Sequence, residues 1–75
     1  MRGLGDRWLA GEPVDGVAFA HHDSVEVVGG SLDGHAGTVL LLLAVAPEPL
    51  YLVAVDGRGD VRIRQSALQA APRAS

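Results

Sequence analysis

The apolar positions of the chain fall into short runs broken by glycine and proline. The first run builds from Val17 through Val25, Val27 and Val28, past the polar cluster His21, His22, Asp23 and Ser24, and it stops at Gly29 and Gly30. Branched residues at that density predict a strand. A polar loop, Ser31 to His35, holds Gly34, and Gly37 then opens the longest apolar run, Thr38 to Ala46. Pro47, Glu48 and Pro49 predict a rigid turn into another strand, Leu50 to Val55. Asp56, Gly57, Arg58 and Gly59 are residues that tolerate the positive φ of a tight hairpin. Asp60 to Arg64 alternates polar with apolar, placing Val61 and Ile63 on one face. Ser66 is positioned to cap a closing turn through Ala67, Leu68 and Gln69.

Outside these runs the texture differs. Residues 1–16 hold four glycines, a proline and several charges, with Trp8 and Leu9 as the local apolar anchor. They are expected to form an N-terminal arm, either flexible or wound into one helical turn that Asp6 caps and that carries Trp8 and Leu9 onto the domain. The domain itself is expected over 17–70, and 71–75 as a frayed tail.

Composition narrows the class. A chain of 75 residues makes at most one compact domain and leaves much of its surface exposed. It has no cysteine, so no disulfide framework or thiolate site supports it, and three histidines are few for a structural metal. Hydrophobic residues make up 48%, yet only Trp8, Phe19 and Tyr51 are aromatic, so aliphatic side chains must fill the core. Ten glycines and four prolines suit short strands and tight turns better than long helices. The start of the chain lacks the basic and apolar pattern of a secretory signal, and Val39 to Ala46 is far shorter than the roughly 20 residues of a membrane span, so a cytoplasmic location is expected.

Val25, Glu26, Val27, Val28, Gly29 and Gly30, followed by Gly34, Gly37, Thr38 and Val39, form a strand, a loop with fixed glycines and a second strand. This arrangement resembles a KOW motif, and Leu50 to Val55, Asp60 to Arg64 and Ser66 to Gln69 resemble the remaining strands and closing turn of an SH3-like barrel. The expected fold is therefore all-β: a small SH3-like, KOW-like barrel of about five short antiparallel strands, with the arm before it and a closing 3-10 turn. The resemblance implies contact with RNA or a ribonucleoprotein. The charges depart from that expectation: the chain has no lysine and no arginine between Trp8 and Gly57, carries Asp33 and His35 in the motif loop, and has a net charge of −3. Phosphate neutralisation supplies most non-specific nucleic-acid affinity, so that balance disfavours it.

Several residue clusters offer chemistry. Arg62 and Arg64 flank Ile63 on one face, with Arg58 at the adjoining turn, as a basic patch for an acidic protein surface or for phosphates, or as an ordinary solvated strand face. His21, His22 and Asp23 include two metal-ligand types, but strand neighbours point to opposite faces and leave His21 and Asp23 together, with His35 as a distant third. Surface histidines are the expectation, and no metal or cofactor. No carboxylate pair, separated triad or P-loop appears, so no catalytic centre is expected. Arg58, Gly59 and Asp60 spell the integrin tripeptide, but the hairpin turn already accounts for each residue.

The apolar run carries the strongest functional expectation. Strict alternation places Val39, Leu41 and Leu43 on one face and Leu40 and Leu42 on the other. Only one face of a barrel strand points inward, so the second needs cover from the arm, from Leu68 or from another chain. The chain is therefore expected to be a non-catalytic interaction module or accessory subunit, docking a protein partner or itself through Leu40 and Leu42. The alternative is a nucleic-acid-binding module using Arg58, Arg62 and Arg64.

Overall fold

The computed structural model describes residues 3–71; the tail expected over 71–75 lies, from residue 72 onward, outside the described residues. One short helix, α1 (Leu4–Leu9), precedes β1 (Ser24–Val27), β2 (Ala36–Ala44), β3 (Leu50–Val55) and β4 (Gly59–Arg64). A 3-10 turn (Gln65–Ala67) then leads into β5 (Leu68–Ala70). All five strands join one antiparallel sheet in the order β4-β3-β2-β1-β5. The all-β expectation holds at that level. Among the described residues no ladder joins β4 to β5, so the sheet is not closed by pairing. No described helix is long and apolar enough to cross a membrane.

The glycines of the β1–β2 connection do two different jobs. Gly34 takes φ +86°, a conformation costly for other residues, and its N–H donates to the Val27 carbonyl at 2.8 Å to close the hairpin. Asp33 Oδ1 accepts the Gly29 N–H at 2.6 Å within the same loop. Gly37 instead permits a close approach: a Cβ there would lie 2.7 Å from Val53 Cγ1 and 2.9 Å from the Ala54 carbonyl oxygen. The first glycine shapes the loop and the second lets β2 pair closely with β3.

One face of the sheet holds the core. Val25, Val27, Val39, Tyr51, Val53, Val55, Ile63 and Leu68 are buried, and the period of two along β3 is unbroken, with Tyr51, Val53 and Val55 inward. The arm covers the end of this core. Trp8 is only 2% exposed, its ring tilts against that of Tyr51 at 6.4 Å, and its Nε1–H donates to the Phe19 carbonyl at 2.7 Å. Residues 1–16 thus include a helical anchor, one of the two forms expected. Asp6 is not its N-cap: Gly3 holds that position, and Asp6 Oδ2 accepts the Gly3 N–H from the third helical position. Leu9 stays 43% exposed, because consecutive residues of a helix point about 100° apart and Trp8 takes the core-facing direction.

Two more local expectations are corrected. Ser66 caps nothing; it lies inside the 3-10 turn, and its N–H and hydroxyl both donate to the Glu48 carboxylate at 3.2 Å. Leu68 to Ala70 continue as a strand against β1 rather than as a helical turn. His21 and His22 are the centre of a turn and not part of a strand: Asp23 N–H donates to the Ala20 carbonyl at 3.1 Å, with His22 at φ 71°.

Candidate functional site

The outer face of the sheet is where the apolar run departs from simple alternation. Val39 pairs with Val53, but the next partner of β3, Leu52, lies opposite Leu41, so Leu40 is an extra residue in the ladder. A second irregularity between Leu42 and Ala44 leaves Leu43 without a partner. Each inserted residue shifts the inward and outward phase by one position. Val39 faces the core at 0% exposure, Leu42 beside Tyr51 also packs on the core, and Leu41 and Leu43 turn outward at 40% and 43%. Val39, Leu41 and Leu43 therefore do not share a face, and Leu42 does not face outward with Leu40. Leu40 is half-buried at the bulge.

The outward positions of β3 complete this surface. Leu50, Leu52 and Ala54, all half-buried, alternate with the buried Tyr51, Val53 and Val55. The register sets Leu41 beside Leu52 and Leu52 beside Arg62, with Leu50 beside Arg64. An aliphatic strip on β2 and β3 is thus bordered along β4 by two exposed arginines. Near its end Ala44, Ala46, Pro47, Glu48, Leu50 and Arg64 line a shallow depression of about 290 Å³. Arg58 is exposed in the β3–β4 turn, where its backbone N–H donates to the Val55 carbonyl at 2.9 Å. The structure brings Arg62 and Arg64 onto one face with the leucines and leaves Arg58 at the turn.

The histidines are placed apart from this surface. His21 and His22 stack with ring centroids 3.7 Å apart, and His21 also lies against Trp8 at 5.8 Å. His35 Nδ1 lies 3.0 Å from the Leu32 carbonyl oxygen in the β1–β2 loop. Among the described residues no group of three His, Asp or Glu side chains converges to hold a metal. A second, smaller hollow of about 160 Å³ lies under the arm between Trp8, Val14 and Phe19.

Gln65 and Tyr51 were not legible as a unit in the sequence. Gln65 Oε1 accepts the Ala18 N–H at 2.8 Å and the Tyr51 hydroxyl at 2.6 Å, while its Nε2 donates to the Gly16 carbonyl at 3.1 Å. This amide ties the arm to the sheet across some fifty residues of chain. Burial pushes the Tyr51 phenol above its ordinary pKa, since a phenolate packed beside the Trp8 and Phe19 rings would lose part of its hydration. No protein-family model matches the chain, and no curated protein or solved structure matches it.

Proposed function

We propose that this chain is a non-catalytic interaction module, an SH3-like barrel of the KOW-like kind, that docks a protein segment on the outer face of β2 and β3. The fold part of the proposal is supported by the strand order, with β1 between β2 and β5 and a 3-10 turn between β4 and β5. The observation that carries the functional part is the pair of outward leucines, Leu41 and Leu43, each about 40% exposed beside the half-buried Leu50 and Leu52. Such a strip costs solubility unless something covers it. Arg62 and Arg64 along its border favour a partner that sets carboxylates beside aliphatic side chains.

The nucleic-acid alternative rests on Arg58, Arg62 and Arg64 alone, in a chain of net charge −3. The experiment that separates the two is selection from a displayed peptide library, followed by titration of short RNA at low salt. Enriched sequences combining aliphatic and acidic residues, bound by the wild type and lost in Leu41→Asp with Leu43→Asp, are the expected result. Peptide binding that survives those substitutions overturns the outer-face assignment. Saturable RNA binding lost in Arg62→Ala, without peptide enrichment, replaces it by the alternative.

A further inference from the structure

β4 is the outermost strand on its side of the sheet, so among the described residues one of its edges has no strand beside it. Two hydrogen bonds fix which backbone groups face that edge. Gln65 N–H donates to the Pro49 carbonyl at 2.8 Å, and Asp56 N–H donates to the Ala36 carbonyl at 2.9 Å. With Tyr51 opposite Ile63 and Ala54 opposite Thr38, antiparallel alternation gives the odd-numbered amides of β3 to β4 and its even-numbered amides to β2. On β4 the backbone groups of Val61 and Ile63 are therefore used by β3. Asp60, Arg62 and Arg64 direct their N–H and C=O groups to the open edge. The same three residues are exposed and alternate on the outer face with the half-buried Val61 and the buried Ile63.

We propose that this edge pairs antiparallel with β4 of a second copy of the chain, centred on Arg62, joining the two sheets into one. The two-fold relation sets Asp60 of each copy opposite Arg64 of the other, Arg62 opposite its counterpart, and Val61 opposite Ile63 on the inner face. Charge and backbone pairing together select this register. Centring on Ile63 opposes Arg62 to Arg64 twice. Centring on Val61 also pairs Asp60 with Arg62 twice, but it sets Arg64 against Arg58, a turn residue whose N–H is already taken by the Val55 carbonyl, and so uses the edge-facing backbone groups of Asp60 and Arg62 without those of Arg64. Centring on Arg62 gives two opposite-charge pairs against a single like-charge contact and brings the edge-facing backbone groups of Asp60, Arg62 and Arg64 all into the new ladder. It also covers the exposed part of Val61 with an aliphatic neighbour. The edge is used here and not the leucine strip, so this inference stands independently of the docking face.

The test is the solution mass of the full-length protein by light scattering over a concentration series. A dimer that dissociates on dilution is expected. Asp60→Arg alone, or Arg64→Asp alone, turns both attractive pairs repulsive and weakens the dimer about 30-fold, taking about 1 kcal/mol per reversed pair. Mixing the two single variants restores wild-type affinity as a heterodimer, because the new arginine of one faces the new aspartate of the other. Wild-type amide exchange at Asp60, Arg62 and Arg64 slows as concentration rises. A monomer at every attainable concentration, a dimer indifferent to the reversals, or exchange independent of concentration each overturns the proposal. A dimer lost instead in Leu41→Asp places the contact on the outer face.

Discussion

Truncating Trp8 to alanine tests whether the arm belongs to the core or merely rests on it. Trp8 is 2% exposed, contacts the Tyr51 ring and donates its indole N–H to the Phe19 carbonyl. Removing a buried tryptophan side chain costs about 3–5 kcal/mol, transfer and cavity together. The whole stability of a 75-residue domain is only about 4–11 kcal/mol at the usual margin per residue. The substitution therefore removes about a quarter of the stability or more. Urea unfolding followed by far-ultraviolet circular dichroism should show the midpoint falling by about 2–4 M, or unfolding before any urea is added, for a slope near the low end for small domains. Trp8→Phe separates the two contributions. It keeps most of the packing but leaves the Phe19 carbonyl without its donor, at a cost of about 1–3 kcal/mol. A loss below about 1 kcal/mol for Trp8→Ala would refute the argument, since a side chain that leaves so little behind was not part of the core.

Four further outcomes are expected. Gly37→Ala destabilises by about 1–3 kcal/mol in the same urea assay, because its methyl group meets Val53 and the Ala54 carbonyl and β2 cannot withdraw without breaking the ladder. Gln65→Ala removes the acceptor shared by Ala18 and Tyr51 and costs about 1–3 kcal/mol, with faster amide exchange at Ala18 as its local signature. Leu41→Asp and Leu43→Asp change stability by no more than about 0.5 kcal/mol each, because both side chains project outward; a large loss would mean they are core. Stability is unaffected by Tyr51 below pH about 10 and falls as the pH rises from there toward the raised pKa of the folded state, as the unfolded chain releases the phenolic proton while the folded one keeps it. The chain has one tyrosine and no lysine or cysteine, so thermal unfolding against pH in Tyr51→Phe should lose that alkaline fall.

What the sequence revealed and what it hid divide along the range of the interactions concerned. β3 was legible because its alternation is uninterrupted: Leu50 to Val55 read inward and outward as they stand. Arg62 and Arg64 were legible for the same reason, since Ile63 between them marks the inward direction of β4. In Val39 to Ala44 every candidate position is aliphatic, so the sequence contains no polar marker to show a change of phase. The bulge at Leu40 became visible only through its partners, with Leu41 opposite Leu52 and Leu42 opposite Tyr51. The cause is geometric as well: a strand shared between β1 at one end and β3 along its length must bend, and an inserted residue bends it while adding twist. That single residue redirects the outward surface from Leu40 and Leu42 to Leu41 and Leu43. It also sets Leu41, Leu52 and Arg62 in one row across three strands, so the same irregularity that closes the core aligns the exposed leucines with the arginine border. Gln65 was hidden for a different reason. Its partners, Gly16, Ala18 and Tyr51, come from distant parts of the chain, and a glutamine after a strand gives no local sign of which amides it will reach.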